Sequence, residues 1–204
     1  AKLMNLGTEL GLVWLLLPVA LLTHRRRELG LFSLWFAATM APFVFLSGVE
    51  PRQVAVNLAA AGGLTALALE ACGVARLALE DAIEYASSRE QFGKKIGVYQ
   101  AVSHPLADAY TRVELSRSLA LWAAWCVATG DAQAPIAAAA AKSYAGESAV
   151  AVCETAIQAL GGIGFTWEHR LHRLYKRALG IESFGASGTR LRAEIAASLI
   201  ELEQ

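Results

Sequence analysis

Residues 156–178, AIQALGGIGFTWEHRLHRLYKRA, decide how this chain folds. Two segments with helical spacing of apolar residues are parted by three glycines within four positions, Gly161, Gly162 and Gly164, followed by Phe165 and Thr166. Glycine costs a helix about 1 kcal/mol and permits backbone shapes closed to other residues. The break is a place where bare backbone meets another molecule, or else an ordinary helix end, since glycine pairs also terminate helices.

Working outward, the segments on either side read as helices. From about Gln53 to Ala86, the residues Leu64, Leu67, Ala71, Val74, Ala78 and Ala82 recur at three- and four-residue steps, which is one face of a helix. A loop follows at Ser87-Ser88 and continues past Gly93 and Gly97. A second helix is expected from about Val98 to Thr129, with Val102, Leu106, Tyr110 and Val113 on one stripe. Pro105 falls in its first turns, where proline does least harm. Pro135 opens a third helix reaching Leu160, and its alanine run 137–141 allows neighbours to come close. Beyond the glycine break, a short helix from Trp167 to about Leu179 and a last one from Gly188 to Leu202 are expected. The fold class is mainly α, with an antiparallel four-helix bundle over residues 53–204.

Residues 1–52 form a separate apolar segment. Positions 10–23 are apolar, His24 to Glu28 are polar, and 30–49 make a second uncharged run. The second run reaches the ~20 residues that span a bilayer, but Pro18 and Pro42 interrupt the two runs. The preferred reading is short buried strands at 12–17, 31–36 and 43–46, rich in β-formers and bounded by turn residues, with a membrane hairpin as the competitor.

The totals narrow the function classes. Lys+Arg 18 against Asp+Glu 18 leaves no net charge, so nothing draws the chain generally to nucleic acid. Cys72, Cys126 and Cys153 lie far apart in apolar helical patterns. They have neither metal-ligand spacing nor the even count of a disulfide framework. Buried free thiols in a reducing compartment, the cytoplasm, are expected.

A second motif lies upstream, YASSREQFGKKIGVYQ at residues 85–100. Arg89 offers a planar fork suited to phosphate, Phe92 a face for a flat ring, and Gly93 a close backbone approach. The alternative is a helix C-terminus at which Arg and Lys answer the dipole.

Taken together, the two motifs resemble the acyl-CoA dehydrogenase family. The first matches Tyr-x-x-x-Arg-x-x-Phe-Gly-x-x-Ile-x-x-x-Gln at Tyr85, Arg89, Phe92, Gly93, Ile96 and Gln100, and His104-Pro105-Leu106-Ala107-Asp108 follows as in the family. The second matches Gln-x-x-Gly-Gly-x-Gly-Phe at Gln158, Gly161, Gly162, Gly164 and Phe165. The match covers about residues 62–197. The resemblance implies one FAD held between subunits, gripped by the two motifs from different subunits. Arg89, Gln91 and Phe92 would contact the pyrophosphate and adenosine part of a neighbouring subunit's flavin, and Gln158, Gly161 and Gly162 would approach the adenine-dinucleotide end. It also implies an oligomer with a homologous acyl-CoA dehydrogenase subunit and an acyl-CoA substrate. The family's N-terminal helical domain and middle β-domain do not both fit before Gln53, so 1–52 is expected to be a remnant of the β-domain in a short, truncated chain.

The family's chemistry uses a Glu to take an α-proton while the β-hydrogen leaves as hydride to the flavin. Its two usual positions align here with Gly185 and Gly63, and glycine takes no proton. Glu182 lies three residues early and faces elsewhere on a helical turn. Glu70 lies about two turns along the first helix from Gly63, and a polar solvent- or interface-side role is preferred for it. Glu168 and His169 are expected in caps and interface contacts. The Gly-Phe-Thr-Trp-Glu-His and Glu-Ser-Phe-Gly stretches resemble the branch that degrades sterol side chains and assembles from two different subunits, one of which can lose its base. The expected function is a subunit of such an enzyme, without its own catalytic Glu. The alternatives are a scaffold subunit that has lost flavin and a membrane-anchored helical protein.

Overall fold

The computed structural model describes residues 51–202, so the expected strands at 12–17, 31–36 and 43–46 and the competing membrane hairpin lie outside the described residues. Residues from Val56 onward form one compact unit. Its elements are helix α1 (Pro51–Ser88), strands β1 (Glu90–Gln91) and β2 (Lys94–Lys95), a 3-10 turn Ile96–Val98, and helix α2 (Gln100–Thr129). Helix α3 (Ala134–Leu160), a 3-10 turn Gly161–Phe165, and helices α4 (Leu171–Ser183) and α5 (Gly188–Leu202) complete it.

Residue pairs fix how the helices run. Gly62 on α1 lies against Val127 near the end of α2, and Ala86 meets Gly97 just before its start, so the two are antiparallel. Helix α2 ends at Gly130 in the left-handed region, and the Asp131 carboxylate accepts the Gln133 N–H at 2.8 Å, turning the chain into α3. Arg177 of α4 and Arg170 just before it reach Glu70 and Asp81 of α1, so α4 runs back along α1. The Tyr175 hydroxyl donates to Glu154 at 3.0 Å, which sets α4 against α3.

Helix α3 is the centre. It is buried on nearly every side, with Ala137, Ala138, Ala141, Ala145 and Ala149 at 1% exposure or less. Alanine is the best helix former and keeps helix surfaces low, so α2, α4 and α5 can all close on it. A helix apolar all round belongs inside a domain. Both α1 and α3 are long and apolar enough to cross a bilayer by composition, and part of that apolar surface of α3 is covered by its neighbours in the bundle.

The mainly α bundle expected from the sequence is therefore present. Two boundaries differ. The short helix begins at Leu171 rather than Trp167, because residues 166–170 form a turn in which the Leu171 N–H donates to the His169 imidazole at 3.2 Å. The expected loop after Ser88 contains a small hairpin. Cys126 and Cys153 are buried as expected, whereas Cys72 is only half-buried.

Candidate functional site

Three places on the bundle carry the residues singled out from the sequence. The first is the hairpin after α1. Glu90 pairs with Lys95 and Gln91 with Lys94, leaving Phe92 and Gly93 as a two-residue loop. Both loop residues have positive φ, 54° and 76°, the backbone of a type I′ turn. The Tyr99 hydroxyl donates to the Gln91 carbonyl at 3.2 Å and the Ile96 N–H to the Arg89 carbonyl at 2.9 Å, which ties the loop down. A positive φ at a bulky residue costs on the order of 1–3 kcal/mol and persists where surrounding structure enforces it. Phe92 is nevertheless 92% exposed, so its ring is held out at the cost of strain with little packing against the described residues to offset it. Beside it, Arg89 is exposed and its guanidinium has no ion-pair partner among the described residues.

The second place is the turn after α3. Gly161 has φ 61° and ψ −134°, a conformation only glycine adopts readily. A Cβ on Gly164 would lie 3.0 Å from the Ile157 carbonyl oxygen, so this glycine is needed for packing. Gly161 and Gly162 differ: among the described residues nothing lies within 4 Å of where their Cβ atoms would be. Their bare backbone faces open space next to exposed Gln158 and Phe165. Alongside, the Trp167 ring is 73% exposed, with the Lys176 ammonium 4.7 Å from its centroid and His172 edge-on at 4.3 Å. Both His172 ring nitrogens are buried and unpartnered. The Glu168 carboxyl is held below its usual range by its own backbone N–H and by Thr166.

These two places share one end of the bundle, because α1 and α3 both finish there and α4 begins there. Together they offer a guanidinium able to pair with a phosphate, an outward aromatic face, and glycines with open space where a side chain would stand, although the Gly161 N–H itself donates to the Gln158 and Ile157 carbonyls.

The third place is a cavity of about 560 Å³ toward the other end, between α1, the turn after α4, and α5. Gly63 and Gly185, the two positions aligned with the family's base, both line it, together with Leu64, Leu67, Phe184 and Leu191. Gly185 has φ 80°. Glu70, Arg190 and Glu194 also line it, but both carboxylates are engaged: Glu70 takes two bonds of 2.6 Å from Arg177, and Glu194 one of 2.9 Å from Arg190. The Arg177 bond holds the Glu70 carboxyl below the usual range. Glu182 does not line the cavity; its carbonyl faces α3 instead. Among the described residues no cluster of His, Cys, Asp and Glu is arranged to hold a metal.

Sequence reading found Gly63 and Gly185 separately, and the fold brings them to one cavity. It missed Arg190 and Glu194, for which the sequence carries no signal beyond a solvated helix face. It also missed the hairpin, because the first position of a type I′ loop is ordinarily Asn, Asp or Gly and here it is Phe.

The family described as acyl-CoA dehydrogenase, C-terminal domain, matches residues 60–200. The chain is 49% identical over 130 residues to acyl-CoA dehydrogenase FadE34 of Mycobacterium tuberculosis, an alignment covering 63% of this chain and 18% of the relative. Among solved structures, butyryl-CoA dehydrogenase from Megasphaera elsdenii superposes with a TM-score of 0.68 at 30% identity, covering 71% of this chain and 37% of that one. A steroid acyl-CoA dehydrogenase variant superposes with a TM-score of 0.64 at 33% identity, covering 68% and 38%. The chain thus spans between about a fifth and two fifths of the length of these relatives.

Proposed function

The chain belongs to the acyl-CoA dehydrogenase family, and from that premise we propose that it is the helical-bundle part of a flavin-dependent acyl-CoA dehydrogenase, one subunit of an assembly whose flavin sites lie between subunits. Family members use FAD, and the bound flavin supplies the hydride acceptor for α,β-dehydrogenation of an acyl-CoA thioester. Arg89, Gln91 and Phe92 hold its pyrophosphate and adenosine portion, and Gln158, Gly161 and Gly162 admit the dinucleotide against bare backbone. The cavity beside Gly63 and Gly185 takes the acyl group. The likeness to a steroid acyl-CoA dehydrogenase supports a bulky, sterol-derived acyl group. The reading places the assembly in the cytoplasm, with a homologous subunit as partner.

The observation that carries this reading is the separation of the two ends. From Gly63 to Arg89 the chain climbs α1 for 26 residues, roughly 39 Å at helical rise. That is further than one flavin dinucleotide reaches, so the motif end and the cavity end of a single chain serve different sites. A second bundle must bring its own motif end to this cavity. Among the described residues no free carboxylate lines the cavity, and the chain acts beside a subunit that supplies the base.

The test is the visible spectrum of the purified protein, alone and co-expressed with a homologous subunit, repeated for Arg89→Ala. Flavin bands in the co-purified sample that fall several-fold in Arg89→Ala, with the melting temperature kept, support the proposal. Unchanged flavin in Arg89→Ala removes the assignment of Arg89. The absence of flavin from every sample favours a second reading, a scaffold subunit, which the paired state of Glu70 and Glu194 already supports.

A further inference from the structure

The turn between α4 and α5 forms one wall of the cavity, and a buried ammonium holds it from beneath. Lys142 sits in the middle of α3 at 1% exposure. Its Nζ donates to the Glu182 carbonyl at 2.7 Å and also to the Ala186 carbonyl. These two carbonyls bracket Phe184 and Gly185, which line the cavity. Among the described residues no carboxylate forms an ion pair with this ammonium. A buried charge without an ion-pair partner is expensive, and a helix whose other buried positions are mostly alanine and apolar residues has no packing need for one. Burial holds the Lys142 pKa below the usual lysine range, with Glu182 and Glu147 opposing only in part.

The ammonium does one thing no apolar residue there can do. Helix α4 ends at Ser183 and leaves its last carbonyls open, and Lys142 closes one of them while reaching across to the far side of the turn. Without that bridge, the turn's own ties are Phe184 N–H to Gly180 and Ala186 N–H to Phe184, both at 3.0 Å. Gly185 is intrinsically soft, and the Phe184 ring, 69% exposed, has room to swing toward the cavity.

We propose that Lys142 is a positioning residue: by pinning the carbonyls of Glu182 and Ala186 it fixes the Phe184–Gly185 turn as a rigid wall and keeps the cavity open for an acyl chain. The inference rests on reading that cavity as the acyl site, and the experiment separates the two. Palmitoyl-CoA is titrated into the assembly co-purified with a homologous subunit, carrying this chain as wild type, Lys142→Met, Lys142→Arg, or Val152→Ala, a buried position on the same helix ten residues away. Amide hydrogen exchange over residues 183–187 is read in parallel.

Lys142→Met should bind palmitoyl-CoA about tenfold more weakly and exchange faster in 183–187, and Lys142→Arg should keep most of the affinity. Val152→Ala should lose melting temperature but not affinity. Wild-type affinity with unchanged exchange in Lys142→Met overturns the proposal, as does an equal affinity loss in Val152→Ala. If the assembly with the wild-type chain ignores palmitoyl-CoA, the acyl reading fails and the exchange difference alone decides the clamp. If Lys142→Met does not fold, exchange in the wild-type chain decides it. Protection in 183–187 matching that of α4 supports a pinned turn, and exchange as fast as the exposed 130–133 turn overturns it.

Discussion

Arg177 on α4 grips Glu70 on α1 through two hydrogen bonds of 2.6 Å, at the rim of the cavity that Gly63 and Gly185 also line. The pairing keeps Glu70 ionised and occupied, the opposite of what a general base needs. Because the Arg177 bond lowers the folded-state pKa of Glu70, the pair stabilises the fold above the usual carboxylate range and loses that contribution as pH falls through the lowered value. Both side chains are about half exposed, so the contribution is small. Glu70→Gln should leave the neutral-pH melting temperature nearly unchanged and slightly flatten its fall between about pH 5 and 3. An acid limb as steep as the wild type's would mean the pair is not formed in solution.

The two glycines at the cavity should respond oppositely to a new side chain. Nothing lies within 4 Å of a Cβ on Gly63, which is in the body of α1, so Gly63→Glu should gain about 0.5–1 kcal/mol of stability and add a carboxylate to the cavity wall. Gly185 holds φ 80°, and Gly185→Glu should lose about 1–2 kcal/mol. Thermal melts of the two variants test this. A higher melting temperature for Gly185→Glu than for Gly63→Glu would contradict the backbone geometry described.

Phe92 carries backbone strain that the described residues do little to offset. Phe92→Gly should leave the melting temperature equal or higher, because glycine adopts φ 54° freely. The same change should reduce flavin retention in the assembled protein. A stability loss with flavin intact would make Phe92 a structural residue of the hairpin.

Burial pushes the Cys153 thiol up to about 12, and it raises Cys72 and Cys126 as well. A thiol kept protonated is a poor nucleophile. A disulfide reagent such as DTNB at pH 8 should therefore find no fast-reacting cysteine in the folded chain, with Cys72 reacting first, and three after denaturation. A full equivalent reacting within seconds would show that the packing around one of them is open.

The bundle was legible because helix periodicity survives in single sequences: α3 can be read from Pro135 to Leu160 almost residue for residue. What resisted reading depended on contacts between distant segments or on unusual backbone. Lys142 looks like any polar residue between Ala141 and Ser143; only the fold puts the carbonyls of Glu182 and Ala186 over it. The Arg89–Phe92 motif could be placed on the page, but its hairpin was hidden by a phenylalanine in a glycine-favouring conformation. The first helical turn expected at Trp167 gave way to a turn capped by His169, since a histidine acceptor is not a recognisable start signal in the way Ser or Asp is.

The length of α1 has a genetic consequence. If each chain lends its Arg89 end to one site and its Gly63 end to another, damage at the two ends is separable between alleles. In a mixed assembly, a chain altered at Arg89 and a chain altered at the cavity leave some sites with both faults and others with neither. Two individually defective copies would then complement in trans, while the same two lesions on one chain would poison every site it joins.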